Sequence, residues 1–379
     1  MSVQAIKFGK FIHEIYKKNR GKNIPIRSMI ELTYKCNFKC VHCYNPSDAG
    51  KKELLKEEIF SILDQLVDLG TVQVAFTGGE MFMRPDVMDI IFYARKKGLY
   101  VAVMTNGSLL TEEIADELIS MGVGNFEISV LGASKETFDK MTQIKGSFDK
   151  VMSVVRMLRR KGVIPKLKTC VTNINVDEFE KIIALAKKLD TSFSYSAAVI
   201  PKLDLNQCPG KFRIKPDEFL NMRKRYVEFV KTIKKPGKDG KTGKQIRRQE
   251  RPGFWERESL FGCMAGHTGV FINPYGEMKT CMTVPEPYFD TKKMSVAKCW
   301  EKIKEFTSAI KAPSDWQCYT CEYRVWCSWC PGRAYLNTGD IFGCPPYYRE
   351  LAKARKKRYE EIRASQSCAG NSFEGFSGK

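Results

Sequence analysis

The chain has 379 residues, a net charge of +20, 43% hydrophobic and 28% charged residues. This is an ordinary soluble composition with room for more than one domain. The longest apolar runs, such as Val123–Val130, are broken by Gly, Asn or Glu and fall short of a membrane span. The segment Met1–Arg20 is charged and has no secretory h-region, so a cytoplasmic location is expected. The basic excess reads first as a lysine-rich, solubilising surface, and second as a face for an acidic partner.

In chain order, apolar strand-like stretches alternate with amphipathic helical ones. Strands are predicted at Ser28–Tyr34, Val72–Phe76, Tyr100–Met104, Asn125–Val130, Lys166–Thr172 and Ser192–Ala197. Helices are predicted at Lys56–Leu69, Pro85–Lys97, Thr111–Ser120, Ser147–Lys161 and Asp177–Leu189. The alternation argues for an α/β fold, a partial (β/α)6 TIM-type barrel over residues 28–201, after an N-terminal segment 1–27. Residues 202–261 read as a linker carrying one helix, Pro216–Lys231, and the basic stretch Lys231–Arg251 as a solvated loop. Residues 262–346 form a small Cys-rich unit, and 347–379 a basic helix followed by a disordered tail from Ser365.

Fourteen cysteines against three histidines need an explanation. In a reducing compartment, clustered thiols point to zinc or iron–sulfur chemistry rather than disulfides. Cys36, Cys40 and Cys43 follow the first predicted strand, at the edge where barrel enzymes keep their chemistry. Three thiolates without a fourth suit a [4Fe–4S] cluster with one open iron. The bland alternative is a zinc site completed by a distant cysteine or by His42.

Cys36-x3-Cys40-x2-Cys43 with His42 before the last cysteine resembles the radical SAM superfamily signature. Thr77-Gly78-Gly79-Glu80 after the second strand and Thr105-Asn106-Gly107 after the third resemble that family's GGE and TNG segments. Ser129, closing the fourth, resembles its polar position near the ribose or carboxylate. The resemblance implies that the open iron chelates S-adenosylmethionine. One-electron reduction would then release a 5′-deoxyadenosyl radical that abstracts a substrate hydrogen. It also implies that Glu80 accepts from the cofactor's ammonium, and that Gly78, Gly79, Thr105, Asn106 and Ser129 bind the cofactor. A flavodoxin, ferredoxin or reductase would supply the electron.

The later cysteines, Cys263, Cys281, Cys318, Cys321, Cys327, Cys330 and Cys344, with Gly276 resemble the SPASM domain, which carries two auxiliary [4Fe–4S] clusters. Here the Cys327–Cys330 spacing is one residue shorter than usual. The resemblance implies Cys318, Cys321, Cys327 and Cys344 for a distal cluster, and Cys263, Cys281 and Cys330 for a nearer one. The nearer one takes a fourth ligand from Cys208, Cys299 or His267, or keeps an open iron. Cys170 reads as buried filler, Cys368 as a tail residue, and Trp316, Trp326 and Trp329 as apolar shielding.

SPASM proteins mostly modify peptides, so a peptide or protein substrate leads. Only 35 residues precede Cys36, too few for a leader-binding domain of about 80–90 residues, so recognition is expected from a separate leader-recognition protein or another surface, or is not needed. Met282 stands where sulfatase maturases carry Asp, which argues against that reaction. No general base is assigned: His42 belongs to the cysteine loop, His13 and His267 are isolated, and Tyr195, the candidate at the barrel mouth, reads first as a core aromatic. A tetrapyrrole precursor is the alternative substrate. A zinc-stapled nucleic-acid-binding protein is the remote alternative, without support from the barrel motifs.

Overall fold

The structure is a computed structural model that describes residues 21–46, 50–233 and 260–367, with positions 12, 14, 15, 18 and 19. His13, most of Lys231–Arg251, and the tail from Cys368 onward lie outside the described residues.

Six parallel strands form the expected partial barrel. They are β1 (Arg27–Glu31), β2 (Gln73–Thr77), β3 (Tyr100–Thr105), β4 (Asn125–Ser129), β5 (Lys166–Cys170) and β6 (Ser192–Ser196). All five residues of β2 are buried, as a strand covered on both faces requires. Helices α1 (Lys56–Asp68), α2 (Val87–Lys96), α3 (Glu112–Ser120), α4 (Lys135–Thr142), α5 (Ser147–Arg160) and α6 (Phe179–Lys188) connect them. The helical period decides which residues are covered. In α1, Ile59, Ile62, Leu63 and Leu66 fall on one face and are buried. Thr111 caps α3 by accepting from the Ile114 amide at 3.3 Å.

Sequence patterning misses α4. Its eight residues carry little apolar signal, yet Ser134 caps it and Phe138, Met141 and Thr142 are buried. The predicted first strand also runs too far, since β1 ends at Glu31. Beyond it the chain crosses the top of the sheet, where the Thr33 carbonyl accepts from the Gly79 amide at 2.7 Å.

The C-terminal region does not build its sheet apart from the barrel. β7 (Gly269–Ile272) pairs parallel with β1, with Arg27 opposite Gly269 and Ile30 opposite Ile272. β8 (Glu277–Cys281) and β9 (Val284–Asp290) follow antiparallel, giving one sheet in the order β6-β5-β4-β3-β2-β1-β7-β8-β9. A partial barrel leaves one side of β1 unpaired, and β7 covers it.

α7 (Pro216–Ile233) precedes this region. α8 (Val296–Ala309), α9 (Pro331–Thr338) and α10 (Pro346–Ser367) complete the described elements. The cysteine block has a small core of its own, with Leu260, Phe261, Val284, Trp316, Cys318, Trp329 and Ala334 buried together. Among the described residues no helix is long and apolar enough to cross a membrane.

Candidate functional site

The cysteine loop after β1 is held by the helix that sequence patterning misses. The Lys39 and Val41 amides donate to the Thr142 and Met141 carbonyls at the C-terminal end of α4, each at 3.0 Å. Those carbonyls have no partner within the helix, so they are free to fix the loop. The loop after β2 closes on the same backbone. A Cβ on Gly79 would lie 2.2 Å from the Lys35 carbonyl oxygen, and one on Gly78 2.3 Å from that of Thr33. The two glycines therefore let two loops of the protein approach each other, besides lining the site.

Cys36, Cys40 and Cys43 open onto a cavity of about 470 Å³, lined also by Gly78, Gly79, Thr105, Asn106 and Ser129. Asn106 Nδ2 lies 3.9 Å from the Cys36 sulfur and 2.9 Å from Asn37 Oδ1. Burial pushes all three thiols above the ordinary range, Cys40 the furthest. His42 also lines the cavity; burial lowers it to about 4, so its ring is neutral.

Glu80 differs from expectation. It is fully buried and is not part of the cavity lining. Its Oε1 accepts from Thr105 Oγ1 at 2.7 Å and the Phe82 amide at 3.2 Å, and Oε2 accepts from the Asn106 amide at 2.7 Å. Of about four lone-pair positions, one on Oε2 is left for a ligand. Its main work is to brace the end of β2 against the end of β3. Burial raises its pKa even so.

Two cavity features, Cys170 and Glu127, escape the sequence reading. Cys170 faces the triad, close enough for Cys43 to raise its pKa; burial is the larger cause and takes it to about 12. Alternation along β5 carries the signal: Lys166 and Lys168 mark the polar face, and Cys170 shares it. Glu127 on β4 accepts from Lys168 at 3.0 Å and Lys166 at 3.3 Å. Burial acts to raise Glu127, but the two lysines outweigh it and the net shift is downward. Tyr195 has both characters: it lines the cavity and packs edge-on against Phe179 at 4.8 Å.

The C-terminal thiols fall into two groups. Cys263, Cys281 and Cys330 influence one another electrostatically, as do Cys318, Cys321, Cys327 and Cys344. The short spacing thus still sends Cys327 and Cys330 to different groups. Met282, next to Cys281, lines the main cavity, which puts the three-cysteine group beside it. Cys299 is fully buried in α8 with Asp290 as its charged neighbour, and Cys208 is exposed. His267 Nε2 lies 3.0 Å from the Phe261 carbonyl. Among the described residues no three His, Cys, Asp or Glu side chains converge closely enough to hold a single metal ion. Trp316 and Trp329 are 8% and 5% exposed, so neither offers a face for stacking a base.

Residues 30–189 match the family model of the Radical SAM superfamily. The chain carries a radical SAM domain. The matched region takes in the end of β1, β2 to β5 and the six helices α1 to α6. Over 340 residues the chain is 27% identical to an AdoMet-dependent heme synthase of Methanosarcina barkeri, covering 86% of this chain and 96% of that protein. It is 23% identical over 330 residues to a PqqA peptide cyclase of Granulibacter bethesdensis, covering 84% of this chain and 85% of that protein. In fold it is similar to Streptococcus suis SuiB bound to precursor peptide SuiA, with a TM-score of 0.67, 13% identity, and 91% and 82% of the two chains covered.

Proposed function

We propose that Cys36, Cys40 and Cys43 hold a [4Fe–4S] cluster, that S-adenosylmethionine binds beside it, and that hydrogen is abstracted from a substrate in the barrel cavity. The observation carrying this reading is the meeting of these thiols with Gly78, Gly79, Thr105, Asn106 and Ser129 around one cavity at the C-terminal edge of a parallel sheet. The donor set suits iron–sulfur: three soft sulfurs share the site with no carboxylate ligand among them. When bound, these groups supply one electron at low potential and, from the cleaved sulfonium, a 5′-deoxyadenosyl radical.

The chain's own residues do the rest. α4 fixes the cysteine loop, and Glu80 fixes Thr105 and Asn106. Met104, Leu131, Phe138 and Met282 give the cavity apolar walls that exclude water from a reactive species. An external redox protein or reductase delivers the electron. The two C-terminal thiol groups hold auxiliary clusters.

For the substrate we favour a peptide. β6 is the end strand of the sheet, and Ser194, Tyr195 and Ser196 on it line the cavity. An extended peptide can add along that edge with its side chain in the cavity. The peptide cyclase relative agrees with this. The second reading, a tetrapyrrole side chain, rests on the heme synthase relative, matched over 96% of its length.

After anaerobic loading with iron and sulfide, reductant and S-adenosylmethionine are expected to yield 5′-deoxyadenosine, and Cys40→Ala to abolish it. A chain that takes up only zinc and never cleaves the cofactor would sink the proposal. Deuterium carried into 5′-deoxyadenosine from a labelled peptide, or instead from a labelled porphyrin propionate, decides the substrate.

A further inference from the structure

Glu127 and Ser129 share one face of β4, and Lys166, Lys168 and Cys170 share one face of β5. The register sets Glu127 opposite Lys166 and Ser129 opposite Lys168. Lys168 nevertheless reaches diagonally to Glu127, Nζ to Oε2 at 3.0 Å, while Lys166 takes Oε1 at 3.3 Å. Glu127 therefore draws the Lys168 ammonium two residues back along β4, a rise of roughly 6–7 Å, away from the edge that carries the triad. Both Glu127 oxygens are occupied, and its side chain is 7% exposed against 44% for Lys168. Two ammoniums against one carboxylate leave positive charge in excess. Among the described residues that line the cavity, Glu127 is the only acid and Lys168 the only lysine or arginine. Lys168 spends one N–H on Glu127 and keeps the rest of its ammonium for the cavity. Against the apolar walls such a cation attracts an anion more strongly than it would in water.

We propose that Lys168 binds a carboxylate of the substrate, and that Glu127 is the positioning residue that aims its ammonium. The inference rests on the reading above that the substrate enters this cavity. One carboxylate balances the excess charge of the cluster, and an ammonium joins it through charge-assisted hydrogen bonds. An acidic side chain of a peptide and the propionate of a tetrapyrrole offer this same chemistry. Lys168 also stands beside Ser129, where the cofactor is expected. The direction of its ammonium, toward Glu127 and away from the triad edge, assigns it to the substrate instead.

The test is equilibrium binding to the whole iron-loaded chain with S-adenosylmethionine and no reductant. Two pairs of probes are compared: an extended peptide with a central glutamate against the same peptide with glutamine, and a porphyrin propionate against its amide. In one pair the wild type is expected to bind the acid at least about tenfold more tightly, and that pair names the source of the carboxylate. Lys168→Met is expected to bring acid and neutral probe to parity while leaving the affinity for S-adenosylmethionine unchanged. Glu127→Gln, which leaves both ammoniums uncompensated, is expected to widen the preference, and it serves as the test should Lys168→Met not fold. A wild type that prefers the acid in neither pair would overturn the inference. So would a Lys168→Met chain that keeps the preference or loses only cofactor affinity, or a Glu127→Gln chain that loses the preference. Binding without reductant does not depend on cleavage. A chain with these preferences that never forms 5′-deoxyadenosine would therefore sink the proposed chemistry and leave the carboxylate site standing.

Discussion

Single residues in this protein divide into those that meet a ligand and those that hold others still. Glu80 belongs with the second kind, with three of its acceptor positions spent on the protein. Glu31 is the more unusual carboxyl. It follows Met29 by two residues on β1, on the same face, and is fully enclosed. Neither of its oxygens has a well-formed hydrogen bond. Burial raises it from 4.5 to about 7, against the opposing pull of Tyr34, Lys279 and Tyr44. The folded chain therefore keeps a proton that the unfolded chain releases. That contribution is complete below about pH 4.5 and is lost as the pH rises through about 7. Glu31→Gln is expected to match the wild type in urea unfolding at pH 4 and to exceed it by about 3 kcal/mol at pH 8. Equal curves at both values would mean that Glu31 ionises freely.

At the scale of elements, α4 matters most for its size. Eight residues, poor in apolar signal, supply the carbonyls that anchor the Lys39 and Val41 amides between the cysteines of the triad. Phe138 pins the helix, fully buried and edge-on to Phe148 at 5.7 Å. Phe138→Ala is expected to cost about 3–5 kcal/mol. Its local mark would be faster hydrogen exchange at the Lys39 and Val41 amides than at β2. Uniform loss of protection would show instead that α4 has no separate hold on the loop. Periodicity could not find α4, because its ends are held by the Ser134 cap and by contacts to distant residues. The Ser134 cap was visible in principle, and Glu178, which accepts from Ser134 Oγ at 2.6 Å, was not.

Across the whole molecule, one sheet ties the two cysteine regions together. β7 lies against β1, so the strand leading into the first cysteine loop is the neighbour of the one leading toward Cys281. The clusters proposed for the three thiol groups predict roughly twelve irons per loaded chain. Cys36→Ala with Cys40→Ala, and separately Cys318→Ala with Cys321→Ala, are each expected to remove roughly four. Only the first pair should end cofactor cleavage. Iron loss shared equally between sites in either double variant would contradict the separation of the groups.

The sequence by itself determined the barrel strands to within a few residues, because a period of two or 3.6 is a local property of the chain. It also determined the thiols and the loops after β2 and β3, since spacing and glycine are local too. Only the tertiary structure decided the rest. It turned Glu80 inward as a brace and brought Cys170 into the cavity of the triad. It also joined β7 to β1. Each of these depends on residues far apart in the chain, and a pattern read within one segment cannot carry a contact that burial and pairing make between segments.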